Sequence, residues 1–195
     1  MTRCAWVGEE PIYIKYHDEE WGVPVGLNSK TKEDIGAADR THFEFLILEG
    51  AQAGLSWITI LKRREGYKKA YDNFDVKKVA QYNEDRIQTM LKDPGIIRNK
   101  LKVRSSIKNA QVFIEIQNEF GSFNDYIWSF VEGSPVKYSP KTINDAPATS
   151  PLSDEVSKDL KKRGMSFVGS TIIYAHLQAT GIINDHTVDC FRCEG

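Results

Sequence analysis

Four side chains suited to a metal ion stand in two pairs at opposite ends of the chain, Cys4 with His17 and His186 with Cys190. Two thiolates and two imidazoles make a closed tetrahedral zinc set, which leaves no coordination position for water and so makes the ion structural. His186-x3-Cys190 is an i, i+4 pair, and on a helix both side chains would reach one ion. One zinc per chain held in this way staples the termini together. The spacing leaves two alternatives open: ordinary histidines with unrelated cysteines, or a chelating pair Cys190-x2-Cys193.

A second chemistry centres on one carboxylate. Glu49 lies between an apolar run (Phe43, Phe45, Leu46, Ile47, Leu48) and a turn of small residues (Gly50, Ala51, Ala53, Gly54). A charge beside such a run is costly unless something pairs with it. Either Glu49 sits near a helix end with its carboxylate in water or on a backbone donor, or it faces a pocket of which Trp57 is one wall. Tyr13, Tyr16 and His17 share one face of the short helix PIYIKYHDEEWG. Aromatic faces commonly build core, but these hydroxyls and this imidazole need partners once buried. In KDPGIIRNKLKVR, a Pro-Gly turn runs into a helix whose first turns carry Arg98, Lys100, Lys102 and Arg104. Such a start can hold a phosphate on backbone N–H groups and basic side chains, or it is simply a solvated basic face.

The elements that must position these residues are helical. Pro11 suits the first turn of the first helix and Gly22 its end. Residues 23–40 are polar and turn-rich and predict a surface loop. Thr41 and Glu44 have capping-box spacing, which starts the next helix at His42, an exposed first-turn residue, and runs it to Gly50 or Gly54. Ser56 opens the following helix. Asp75, Asn83 and Ser122 are N-cap candidates for three more. The long helix to about Phe120 shows Val103, Ile107, Ala110 and Ile114 at helical spacing. Residues 132–152 read as a second surface loop, followed by an amphipathic helix to Gly164 and an apolar one from Ser170 to Thr180. No β-alternation persists, so the expected class is all-α, with many short to medium helices.

Composition bounds the function. At 195 residues the chain is long enough for a sizeable core. A net charge of −1 supplies no global attraction for nucleic acid, so any such role rests on local patches. No apolar run approaches membrane-spanning length, and the N-terminus lacks a signal-peptide apolar region, so a cytoplasmic protein with no membrane partner is expected.

Taken together, RCAWV, EEPIYIKYHDEEWGVP, LEGAQAGLSWITILKRRE, DPGIIRNKLKV, IWSFVEG, LKKRGMSFVGSTIIYAHLQATGIINDH and His186-x3-Cys190 resemble DNA-3-methyladenine glycosylase I, the zinc-containing branch of the helix-hairpin-helix glycosylases. The match spans nearly the whole chain. It implies a helix-hairpin-helix bundle, one domain over residues 1–195 with two helical lobes and a DNA-binding hairpin near 84–104. It implies a monofunctional base-excision repair enzyme, without lyase chemistry, that flips out and hydrolytically releases 3-methyladenine. By the same resemblance Glu49, kept ionised, is the catalytic carboxylate, Trp6, Tyr13, Tyr16, Trp21 and Trp57 surround the base, and Cys4, His17, His186 and Cys190 bind zinc. Gln52, Gly54 and Leu55 probe the DNA at the lesion, and Gly95, Arg98, Lys100 and Lys102 bind it. The superfamily's catalytic aspartate is absent from this branch. The implied partners are double-stranded DNA containing alkylated adenine and free 3-methyladenine as product, with the protein a monomer. The stretch from about Val25 to Arg40 is longer than the family's pattern, and Cys193 is left unassigned. The alternative is a non-catalytic, zinc-stapled helical module that binds DNA damage; a zinc hydrolase would need an open metal position.

Overall fold

The helices pack around a central one that has no polar face along its second half, in a computed structural model that describes residues 1–142 and 145–193. That central helix, α2, spans Lys32–Gln52, and from His42 to Ala51 only Glu44 is not buried. A helix apolar all round is stable only where other elements cover it on every side. Here α3 (Trp57–Leu61), α7 (Lys100–Phe120), α8 (Phe123–Ser129) and α10 (Ser170–Ala179) do so.

The start of α2 differs from expectation. Thr31 is its N-cap, with a reciprocal capping box to Asp34, so residues 32–40 are helix and not loop. Thr41 instead donates its hydroxyl to the carbonyl of Ala37 within the helix. The polar composition that suggests a loop is the solvated outer surface of these first turns. Their inner side carries Asp39, whose carboxylate accepts from Gln117 and from the N–H groups of Phe123 and Asn124. That satisfied buried carboxylate docks the start of α8 on α2.

The other caps follow their local chemistry. Asp75, Asn83 and Ser122 accept backbone N–H groups at the starts of α5 (Val76–Val79), α6 (Glu84–Met90) and α8. Ser56 precedes α3, but its hydroxyl bonds Thr59 and caps no N–H. The buried face of α7 runs through Val103, Ile107, Ala110, Phe113 and Ile116, with Ile114 only half-buried. α9 (Pro151–Lys162) begins on a Ser150–Ser153 capping box and packs on α10.

Apolar residues form a large core around α2 and α7 and a smaller, aromatic cluster where the termini meet. The smaller one joins Tyr16 and Trp21, from α1 (Pro11–Glu19) and just beyond it, to Phe45, Leu61, Cys4 and Cys190. Part of the second expected loop is ordered by pairing: Val136–Lys137 lies parallel to Ile183–Asn184, just ahead of His186. Ile143 and Asn144 of that stretch lie outside the described residues. Among the described residues, no helix is long and apolar enough to cross a membrane.

Candidate active site

Glu49 reaches its place because α2 continues for one turn beyond the fully apolar stretch. Its carboxylate is only 3% exposed, and burial raises its pKa well above the ordinary value, so with the cavity empty the carboxyl holds its proton, where the resemblance implies an ionised one. One oxygen, Oε2, lies 3.0 Å from Nδ1 of His176 on α10. The other, Oε1, is buried without a hydrogen-bond partner. The carboxylate is therefore neither in water nor on a backbone donor. It faces a cavity of about 250 Å³, as the pocket alternative requires.

The cavity walls are aromatic. Trp6, Tyr13, Tyr16, Trp21 and Trp57 all line it, with Gln52 beside Glu49. Trp6 meets Tyr13 and Trp21 edge-on at 5.6 and 5.1 Å between centroids, and Trp57 lies 5.6 Å from Tyr16. Burial, then the charge of Glu49, raises the Tyr16 hydroxyl well above its usual pKa, so it is a neutral phenol. Besides Glu49 Oε1, two more buried polar atoms of cavity-lining residues lack partners, Trp57 Nε1 and Asp185 Oδ1. Buried polar atoms are rarely left unpaired, and three around one cavity point to a flat, polar-edged ligand between aromatic faces.

The four metal-type residues meet. Their ligand atoms all lie within 4.8 Å of one another, and all four residues are buried. Cys4 Sγ and Cys190 Sγ lie 3.5 and 3.4 Å from His186 Nδ1, and Cys190 Sγ is 3.4 Å from His17 Nε2. Tetrahedral sulfur and nitrogen ligands at ordinary zinc distances would stand about 3.6 Å apart, so the residues fit one ion. The far ring nitrogens are engaged as metal-bound imidazoles require: His17 Nδ1 with Asp18 at 2.8 Å and His186 Nε2 with the Trp21 carbonyl at 3.2 Å. A side chain at Gly22 would meet His186 Nε2 at 2.7 Å, and the positive φ of 77° there also favours glycine. His186 and Cys190 are joined by a turn, not a helix. Cys193 is not part of the group; its thiol lies 3.7 Å from the Ser139 hydroxyl.

The basic hairpin is more differentiated than its charge pattern suggests. Arg98 and Lys100 are exposed, while Arg104 pairs with Glu84 at 2.8 Å. Lys102 turns its ammonium inward, donating to the carbonyls of Ala51 and Ala53 at 2.8 and 2.7 Å. The N–H groups of Leu101 and Lys102 are capped by Asn99, and that of Gly95 by Asp93. Gly95 also lies against Gly66, where a side chain would strike the Gly95 carbonyl at 2.3 Å. Gly54, at φ 80°, presents Leu55 with 41% of its surface exposed.

This architecture recurs in known proteins. A model of the methyladenine glycosylase family matches residues 6–193. The chain belongs to the methyladenine glycosylase family. It is 43% identical to DNA-3-methyladenine glycosylase 1 of Escherichia coli over 97% of this chain and 96% of that one. It is 41% identical to the DNA-3-methyladenine glycosylase of Haemophilus influenzae over the same shares. A solved 3-methyladenine DNA glycosylase I from Staphylococcus aureus, described for its recognition of 3-methyladenine, superposes with a TM-score of 0.89 at 33% identity, covering 99% of this chain and 97% of that one.

This glycosylase also has site residues that its sequence does not advertise. His176 and His42 are fully buried, and His42, expected in solvent, lies 3.2 Å from His176 and 3.4 Å from Asn124. Asp185 lines the cavity, held by the Tyr174 hydroxyl and, at 2.7 Å, by Gln178. Glu49 followed 127 positions later by His176, with no local periodicity joining them, leaves no signal in a single sequence.

Proposed function

We infer that this protein is a monofunctional DNA glycosylase of base-excision repair that releases 3-methyladenine from alkylated DNA. The observation that carries the inference is Glu49 Oε1, a buried acceptor without a partner inside an aromatic cavity. A base must leave the stack to reach such a cavity, at a cost of a few kcal/mol. Leu55, exposed beyond Gly54, fills the gap left in the duplex, as apolar wedges do. N3-methylation makes the base cationic in DNA, and the faces of Trp6 and Trp57 attract a cation more strongly once water is excluded. Glu49 accepts a hydrogen bond from the exocyclic amine. Hydrolysis releases the base neutral, so the leaving group needs little acid catalysis. No lysine lines the cavity among the described residues, in keeping with a glycosylase that has no lyase step.

The four-residue metal site holds zinc, one per chain. The mixed thiolate–imidazole set at these separations suits that ion, and its closure makes the ion a structural tie between the termini. The substrate is double-stranded DNA, bound by a monomer: Arg98 and Lys100 touch phosphates, and Gln52, Gly54 and Leu55 meet the lesion. The whole chain acts as one glycosylase domain.

Single-turnover release of 3-methyladenine from methylated duplex, with enzyme in excess, tests the assignment. Removing an acceptor worth about 1.5–3 kcal/mol should slow Glu49→Ala by about ten- to two-hundredfold, with metal content and undamaged-DNA binding unchanged. A wild-type enzyme that binds methylated duplex but releases no base would instead make the protein a damage-binding module.

A further inference from the structure

Behind Glu49 a line of buried polar side chains runs from the cavity to α8. Glu49 Oε2 faces His176 Nδ1 at 3.0 Å, His176 Nε2 faces His42 Nδ1 at 3.2 Å, and His42 Nε2 faces Asn124 Oδ1 at 3.4 Å. Both rings are fully buried, and Glu49 is 3% exposed. The far end of the line is fixed. Asn124 donates its amide nitrogen to the carbonyl of Gly26, and its backbone N–H to Asp39. Turning that amide over would set two carbonyl oxygens against each other at Gly26, so its oxygen faces His42.

The hydrogens can then be counted from the fixed end. An oxygen at Asn124 requires a hydrogen on His42 Nε2. Burial, then the neighbouring His176, pushes His42 well below its ordinary pKa, so the ring is neutral and its Nδ1 is bare. His176 Nε2 must supply the hydrogen between the two rings. Burial holds His176 down to about 3, leaving its Nδ1 as an acceptor toward Glu49. Burial raises Glu49 well above its ordinary pKa, so the carboxyl keeps one proton, and it lies between Oε2 and His176 Nδ1. Whether it rests on the carboxyl or passes to the ring when a cationic base enters, Oε1 carries none.

We propose that His176, oriented by His42 and Asn124, is a specificity-determining positioning residue: it holds the Glu49 proton on the Oε2 side, so that Oε1 meets the base only as an acceptor. This rests on Glu49 reading the base edge as described above. The consequence is chemical discrimination. An exocyclic amine is accepted, whereas an exocyclic carbonyl would face a bare oxygen. Without His176, a buried carboxyl would keep its proton and could turn it toward the cavity to greet a carbonyl. Three polar neighbours in the cavity wall do not replace His176. Tyr16 is a neutral phenol, Trp57 offers only a donor, and Asp185 has Oδ2 committed to Tyr174 and Gln178.

The test uses metal-loaded full-length protein, titrated by tryptophan fluorescence with free 3-methyladenine and with 3-methylhypoxanthine, its carbonyl counterpart. Wild type should prefer the amine. In His176→Phe the preference should fall by at least about tenfold, chiefly through tighter binding of the carbonyl base. An unchanged ratio in a folded, metal-loaded His176→Phe overturns the proposal. A second measurement needs no variant: nitrogen-15 NMR of the wild-type histidines should find His42 protonated on Nε2 alone, and His176 protonated on Nε2. Either ring carrying its hydrogen on Nδ1 alone reverses the line and overturns the proposal. Wild-type protein that binds neither base would reject the base-edge assignment of Glu49 instead, a failure the NMR result distinguishes because it is read with the cavity empty.

Discussion

Two neutral imidazoles sealed in a protein interior make its stability sensitive to acid. His176 is held down to about 3 from 6.5 by burial, and His42 is also held well below that value. As pH falls below 6.5, the unfolded chain takes up protons that the folded rings refuse, so these residues erode stability until the folded rings also protonate. His176→Phe removes one such site. Between about pH 6 and 4 its stability should fall less steeply than that of wild type, by at most about 1.4 kcal/mol per pH unit. Denaturant melts at a series of pH values would measure this, since Cys4, His17, His186 and Cys190 are common to both proteins and cancel in the difference. Parallel curves would mean that His176 is already charged in the fold. At this scale the sequence reveals chemistry that is locally odd and conceals chemistry made by distance. Glu49 stands out as a lone carboxylate in an apolar run. His42 does not, because its partner His176 is 134 positions away and the first-turn position suggested by Thr41 predicts solvent.

At the scale of elements, α7 joins the basic turn of residues 93–100 to residues 51–53 at the end of α2. The last turn of α2 contains no basic residue, and Lys102 of α7 supplies the missing cation at its carbonyls. The two basic residues Lys100 and Lys102 should therefore fail differently when replaced. Lys100→Glu should weaken binding to damaged and undamaged duplex alike and flatten the salt dependence by about one unit for each phosphate left without its cation. Lys102→Met should cost about 1 kcal/mol of stability and slow base release through a loosened 52–55 turn, with little change in salt slope. Equilibrium binding at several salt concentrations, beside thermal melts, separates the two. An equal drop in salt slope for both would place Lys102 on a phosphate. Charge pattern alone cannot divide these lysines, because the division depends on where the end of α2 lies. Helix boundaries were legible where one cap candidate stood alone, as at Asp75, Asn83 and Ser122. They were not at α2, where Thr41–Glu44 has capping-box spacing but the structure caps the helix ten residues earlier with the pair Thr31–Asp34. The earlier pair won because it exposes the polar turns while burying Ala38 and Asp39.

At the scale of the whole molecule, the candidate metal site and the aromatic cavity share walls. Trp6 and Trp21 line the cavity, and their rings lie 5.4 Å from His17 and 4.5 Å from His186, respectively. Cys4 accepts the Thr187 N–H at 3.4 Å, and Phe191 donates its N–H to the Thr2 carbonyl at 3.0 Å, so both termini close over the same aromatic cluster. An ion there would do more than tie chain ends: it would fix two walls of the cavity. The large core around α2 and α7 is separate from that cluster and would not depend on an ion there. Chelation should therefore loosen the aromatic cluster at the termini first. Loss of several kcal/mol from a chain of this size corresponds to a fall of about 10 °C in Tm. Base release should fall in step with metal content, and binding to undamaged duplex through Arg98 and Lys100 should persist. His186→Ala and Cys4→Ser should reproduce this pattern, and Cys193→Ser should not, because its thiol faces Ser139. Metal analysis, calorimetry and single-turnover release on the same preparations would decide it. A metal-free protein with wild-type release and an unchanged melt would show that the aromatic cluster holds the cavity without the ion.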